Sequence, residues 1–306
     1  MGFRARVNSI NNFIKRPNDI PFSISTWEKF KFLISGIIYD FIVAFIFVIL
    51  ISILEPLMTP YENILNSELY SFWKSILLIT ILPPLLEELI FRFPLKYKRN
   101  YVFRFIAYLF KSDFSGFWRK HLRIIVYLFS ATFGFIHLSN YNNVDLVFFM
   151  LAPIIVGAQL FAGIIFSFFR LKMGFVWALL GHFSHNFILI MMSFMFFHNV
   201  ERSLLDDDEV KIEATGIAFK LDNPTRLTID SLQNGNILCL DAQNYSLQKL
   251  LDELYRTDTL RIRDNDQLNL KLYSKKEEGY AKDQLLEVLK EFYTFKKVTD
   301  SISKNE

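Results

Sequence analysis

The chain has 306 residues, 52% of them hydrophobic, with 34 Phe against 11 Gly and a formal net charge of +3. Its mean hydropathy is positive, which excludes a disordered, collagen-like or disulfide-scaffold protein. The single cysteine, Cys239, allows no internal disulfide, and so small a net charge gives no reason to expect nucleic acid as a partner.

The charge is unevenly placed. Residues 201–306 hold 16 basic and 21 acidic side chains, so that part carries −5 and the remainder +8. Residues 1–31 form a polar segment with six Lys/Arg. The first apolar run, 32–54, is 23 residues long and is interrupted by one acid, Asp40. At about 1.5 Å per residue, a helix of that length crosses a bilayer core of about 30 Å. It begins too far along the chain, behind a polar stretch, to read as a cleavable signal peptide. Further runs cover 72–91, 124–138, 144–169 and 173–197, the third of them short for a span. Residues 101–110 carry Arg104 and read as an interfacial amphipathic helix. The loop 55–71 has no Lys or Arg, 92–123 has nine, and 139–143 has none. This alternation places the N-terminus in the cytoplasm, and five spans then place the C-terminal part on the opposite side.

The periodicity changes from residue 201. Asp206, Asp207, Asp208 and Glu209 read as a solvated linker. Strand patterns follow at 211–221, 236–240 and 268–273. Leu247, Leu250, Leu251 and Leu254 have helical spacing, as do Leu285, Leu286, Leu289 and Phe292. The fold expected is an all-α polytopic membrane helix bundle of about five spans with an interfacial helix, joined to a small soluble α+β domain. Its parts are a basic cytoplasmic segment (1–31), a helical membrane domain (32–200) and an accessory domain (201–306). The accessory domain shows no His/Cys cluster, phosphate loop or nucleophile motif, and reads as a module for a protein partner.

Polar groups inside a bilayer are costly, about 2.5–3.5 kcal/mol for a charge at a helix centre, so they mark where chemistry is done. Three clusters stand out. In the first, Glu87 and Glu88 are adjacent within an apolar helix. Glu88 and Arg92 are four residues apart and can pair, while Glu87 is rotated about 100° and can point elsewhere. Pro83 and Pro84 upstream break the helix and free backbone carbonyls. A carboxylate in a low-dielectric pocket suits a general base. The second cluster is His137, four residues after Phe133. The third is His182 and Asn186 on one helix face near the middle of the last span, with His185 beside them. Each has a plainer reading as an interfacial end, a core hydrogen bond or polar glue between helices.

Taken together and in order, EExxxR, FxxxH and HxxxN resemble the motif set of the CPBP intramembrane proteases, which include the type II CAAX prenyl proteases and bacterial bacteriocin-processing or immunity proteins. The resemblance runs from about residue 71 to 197. It implies hydrolysis of a peptide bond in a membrane-anchored or hydrophobic protein or peptide, within a bacterial inner membrane. Glu87 and His137 would activate water, His182 and Asn186 would stabilise the oxyanion, and Glu88 with Arg92 would support the site. The residues themselves also permit a divalent metal, with Glu87, His137 and His182 as a zinc set. Because the H-E-x-x-H spacing of common zinc proteases is missing, the metal-free glutamate reading is preferred. His185 has no assigned role. The chain departs from the family in having Phe93-Pro94 where a small residue usually follows the arginine, and in having fewer spans. A straight second span would put Glu87 toward the inner side and a straight third span would put His137 toward the outer side, so one of the two must deviate.

Two other classes compete. A non-catalytic membrane scaffold or immunity factor would act through the acidic accessory domain. A small transporter would show internal repeats, and none is seen.

Overall fold

Residues 1–54, 70–141, 143, 145–220, 222–256, 260–262 and 267–295 are described by a computed structural model of the protein. Contacts divide the chain into two compact units, Met1–Tyr61 with Ser75–Ile190 and Glu62–Lys74 with Met191–Glu306.

The first unit is helical. α1 (Phe3–Lys15) is amphipathic and buries Ile10 and Phe13. It lies along α2 (Thr26–Leu54), tied by Arg6 Nε donating to Ser35 Oγ at 2.8 Å and Tyr39 Oη donating to Asn11 at 2.9 Å. α2 starts six residues before the predicted run. Ser25 Oγ accepts the backbone N–H of Glu28 at 3.3 Å, which gives an acceptor to a first turn whose N–H groups have none in the helix.

The run 72–91 is helical throughout but in three pieces: α3 (Phe72–Ser75), a π turn (Ile76–Ile81) and α4 (Leu82–Phe91). Two short 3₁₀ turns lead to α5 (Tyr101–Leu109), which coincides with the predicted amphipathic segment and is capped by Asn100 accepting from Phe103 N–H at 2.9 Å. α6 (Ser115–Ile136) begins nine residues before the predicted run and passes into a 3₁₀ turn, His137–Asn140. The predicted fourth span holds two helices, α7 (Leu146–Ile155) and α8 (Gly157–Lys172), because Pro153 has no N–H to donate and the path breaks at Val156. α9 (Phe175–Phe197) completes the series.

Among the described residues four helices are long and apolar enough to cross a membrane: Thr26–Leu54, Ser115–Asn140, Leu146–Lys172 and Phe175–Phe197. Rows of large apolar side chains point outward from them, such as Ile38, Ile42, Phe45, Ile46 and Ile49 on α2. A surface of this kind is stable against lipid and not against water.

Two glycines set the helix spacing. A Cβ at Gly36 of α2 would lie 2.5 Å from Phe169 Cζ, and one at Gly181 of α9 would lie 2.6 Å from Phe169 Cδ2. The Phe169 ring is fully buried between them and cannot move aside. Gly36→Ala is therefore expected to cost about 1–3 kcal/mol by overpacking, read as a lower melting temperature in detergent. At Gly116 an added Cβ meets nothing within 4 Å, so Gly116→Ala should lose no stability.

The second unit is an antiparallel sheet with two helices. Its strands are β1 (Glu201–Asp206), β2 (Val210–Ile217), β3 (Arg226–Ser231), β4 (Ile237–Ser246) and β5 (Gln267–Ser274), in the order β1-β2-β5-β4-β3. Alternate residues of the three inner strands, among them Ile212, Leu240, Leu270 and Leu272, form one apolar face. α10 (Leu247–Tyr255) and α11 (Lys282–Phe292) supply the other side of that core with Leu250, Leu251, Leu285 and Leu289. Ser246 caps α10 by accepting from Lys249 N–H at 3.3 Å.

The acidic run is not a linker. Asp206 ends β1, and Asp207 Oδ1 accepts the N–H groups of Glu209 and Val210 at 2.8 and 2.9 Å, closing the β1–β2 hairpin. Lys275 pairs with Asp206 at 2.7 Å, and Lys276 pairs with Glu209. The two backbone N–H groups hold the Asp207 carboxyl below the usual carboxylate range, with Lys275 and Lys276 adding to the effect.

Candidate active site

The geometry starts with the two prolines. In an α-helix, residues 83 and 84 would donate to the carbonyls of Ile79 and Thr80, but proline has no N–H. The chain compensates in two ways. Leu82 N–H reaches back five residues to Leu77 O, making the π turn. Asn186 of α9 donates its Nδ2 to Ile79 O at 2.9 Å. The residue expected to stabilise an oxyanion thus has one amide hydrogen already committed to the broken backbone.

One turn further, α4 presents its two carboxylates. Glu88 is fully buried, with Oε1 3.5 Å from Arg92 Nε and 3.1 Å from His182 Nδ1. Glu87 keeps 25% of its side chain exposed and places Oε2 3.5 Å from His182 Nε2. Glu87 thus lies apart from the Glu88–Arg92 pair yet reaches the same imidazole. The imidazole stands between the two acids, and each of its nitrogens faces one of them. His182 is held there by Phe166, on which it stacks at 4.6 Å and 22°, and by the edge of Phe133 at 5.6 Å.

Arg92 is buried, with its guanidinium 3.8 Å from the centroid of Phe133 and 5.6 Å from that of Phe166. None of its side-chain nitrogens makes an aligned hydrogen bond, so charge and ring faces hold it. Its own carbonyl, at the open end of α4, accepts from Arg170 Nε at 2.9 Å, and Phe93 O accepts from Arg170 Nη2 at 3.0 Å. A cation there serves the carbonyls at the open end of the helix, Arg92 O also accepting from Leu95 N–H at 3.1 Å. Arg170→Leu should leave Arg92 O with Leu95 N–H alone, take the Arg170 donor from Phe93 O and cost about 1–3 kcal/mol, seen as a lower melting temperature, with Arg170→Lys keeping part of the loss back.

His137 opens the 3₁₀ turn after α6. Its Nδ1 lies 2.8 Å from Phe133 O, and a carbonyl only accepts, so the ring proton is on Nδ1 and Nε2 carries a lone pair. Its ring meets Phe133 at 5.0 Å. Phe133 is therefore the common neighbour of His137, His182 and Arg92, and it also packs on Phe91 at 5.6 Å. The ends of α4 and α6 meet at this ring, which removes the conflict in depth. The irregularity lies in the second run, at the π turn, while α6 stays helical to Ile136.

His185 is near the group but turned from it. Its Nδ1 is 2.7 Å from Asp40 Oδ2, and its ring stacks on Phe41 at 4.8 Å and 8°. Among the described residues no group of three or more His, Cys, Asp or Glu side chains is arranged to hold a metal ion. Both nitrogens of His182 face carboxylates, and Nδ1 of His137 faces a carbonyl.

Arg170, Phe133 and Phe166 are the parts of the site that sequence reasoning missed as site residues. Arg170 reads from sequence as a loop charge after an apolar run, and only Phe133, as the first residue of FxxxH, carried any local signal.

No curated protein and no solved structure matches the chain. Residues 69–188, which carry all three motifs, match the family model described as type II CAAX prenyl endopeptidase Rce1-like, so over that segment this integral membrane protein is similar to the CAAX-protease type of membrane hydrolases.

Proposed function

We propose that the protein hydrolyses a peptide bond in a membrane-anchored or hydrophobic protein or peptide, using Glu87 and His137 to activate water. The observation that carries this reading is the unequal setting of two neighbouring carboxylates. Glu88 is sealed in with Arg92, whereas Glu87 is accessible, and both face one imidazole. Two acids with different surroundings take different roles.

In this reading Glu87 takes one proton of a water molecule. Nε2 of His137, left unprotonated by the Nδ1 bond to Phe133 O, accepts the other hydrogen and aims the oxygen lone pair at the scissile carbonyl. His182, with Nδ1 3.1 Å from Glu88, donates Nε2–H to the developing oxyanion. Asn186 adds its second amide hydrogen, the first being on Ile79 O. Glu87 then passes its proton to the leaving amine. Glu88 and Arg92 balance the charge and fix the imidazole. The metal-free route is preferred because the chain lacks the H-E-x-x-H spacing of common zinc proteases. The N-terminus lies in the cytoplasm of a bacterial cell, and the accessory domain binds a protein partner.

The test compares the N-termini of membrane proteins by mass spectrometry between cells carrying wild-type protein and Glu87→Gln at matched expression. Fragments that appear only with wild type, and persist for the purified protein in a chelator, are the expected result. Identical fragment profiles would move the function to a non-catalytic scaffold, and loss of cleavage in the chelator would bring a metal back.

A further inference from the structure

α9 carries three polar side chains on one face, at positions 182, 185 and 186. Each is held by a different part of the first unit. His182 is held by the carboxylates of α4, Asn186 by the Ile79 carbonyl of the π turn, and His185 by Asp40 of α2. The first two belong to the site already described. The third does not, yet its cost is evident. Asp40 is 1% exposed and sits in the first spanning helix, where a carboxylate is tolerated only beside a partner.

The contact is a close approach more than an aligned hydrogen bond. Asp40 Oδ2 and His185 Nδ1 are 2.7 Å apart but not aligned, and Oδ1 has no hydrogen-bond partner in the protein. The imidazole is clamped in other ways. It stacks on Phe41, the residue after Asp40, and meets the edge of Phe166 at 6.0 Å. Phe166 is the ring on which His182 stacks. The two histidines thus rest on the same aromatic wall, one gripped by α4 and the other by α2. Nearby, Gly36 of α2 and Gly181 of α9 both lie against the Phe169 ring of α8, where a Cβ on either would clash with it.

Held only to the run 72–91, through His182 and Asn186, α9 would still be free to rotate about its axis. Rotation of α9 would carry His182 away from Glu87 and Glu88, because His185 is only three residues along the same face. We propose that Asp40 and His185 are a positioning pair that fixes the rotation of α9 and thereby holds His182 against the two carboxylates of α4. The link to catalysis rests on the proteolytic reading above; the positional claim does not.

The test uses the full-length protein in nanodiscs of one lipid composition, with ¹⁵N-labelled histidine, the His182 signals being assigned by their loss in His182→Ala. Asp40→Ala and His185→Ala are each expected to shift the His182 ring-nitrogen resonances. The double variant should shift them no further, and the exchanged pair, Asp40→His with His185→Asp, should restore them. Where the alanine variants do not fold, Asp40→Asn removes the charge at nearly constant shape and is expected to give the same shift. Turnover of a Glu87-dependent substrate should fall by about tenfold or more at unchanged KM, the size of effect that misplacing a reacting group by a fraction of an ångström produces.

Unchanged His182 resonances in the folded single variants, with only a lower melting temperature, would overturn the proposal and leave a packing contact. Additive shifts in the double variant would also overturn it, since the two residues would then not act as one unit. If the His182 signals move as expected while wild-type protein cleaves nothing, the positioning pair stands and the proteolytic reading falls.

Discussion

Glu87→Gln is expected to lower turnover by about 10²–10⁴-fold, the usual worth of a positioned general base, while the fold stays in place. The physical case for both halves is the same. Glu87 keeps a quarter of its side chain exposed, and its contact with the site is a 3.5 Å approach to His182 Nε2. Glutamine has the same shape and can still face that nitrogen, so stability should change by less than about 0.5 kcal/mol, as at other positions outside a sealed core. It cannot take a proton from water. Kinetics on purified protein, paired with a melting curve in the same detergent, separate the two quantities. Full turnover in a well-folded Glu87→Gln protein would remove this carboxylate from the role of base.

Glu88 should behave in the opposite manner. Its side chain is fully buried and Oε1 faces both Arg92 and His182. Glu88→Leu leaves the Arg92 guanidinium, 1% exposed, without its counter-charge. Breaking one side of such a pair costs about 3–5 kcal/mol, much more than the pair contributes over an apolar replacement. The variant is therefore expected to melt far lower or to be recovered poorly from membranes. Glu88→Leu combined with Arg92→Met should recover most of that stability, because no uncompensated charge remains, yet it should stay inactive because His182 has lost the acceptor for Nδ1. A double variant no more stable than Glu88→Leu alone would show that the two residues are not coupled in this way. The contrast between neighbouring glutamates is the sharpest available: one loses chemistry and keeps the fold, the other loses the fold first.

The spanning helices could be read from the chain because twenty or more apolar residues in a row admit few alternatives. Their inward faces could not. On α2 apolar residues go all round, so nothing in the pattern says that Asp40, Gly36 and Ser35 are buried while Ile38 and Ile42 are exposed. The paired prolines announced a break in the second run, but not that Asn186, more than a hundred residues away, would supply the missing donor. The i, i+4 pair of Glu88 and Arg92 was legible because it is local. Arg170 was not, since its partners are the carbonyls of Arg92 and Phe93 and backbone leaves no trace in side-chain pattern. In the second unit β2, β4 and β5 showed themselves through alternation of apolar and polar residues. β3 is an edge strand with almost every side chain exposed, so it carries little such contrast. The acids at 206–209 looked like a linker because charge alone does not distinguish a hairpin turn from a spacer.

The strand order has a consequence in time. β1 with β2 and β3 with β4 are hairpins of neighbouring strands, each able to form as soon as its own residues are free to fold. β5 bonds to β2 on one side and to β4 on the other, and among the described residues it is the last strand in chain order. During synthesis the two hairpins must wait, unjoined, until residues 267–274 have emerged. Two edges with apolar faces are uncovered for that interval, after the membrane helices have already been made. The domain is thus assembled by a closing strand, and a ribosome stalled or a chain cut before residue 267 would release a membrane protein carrying two open β-ribbons, the species that quality-control proteases and aggregation compete for.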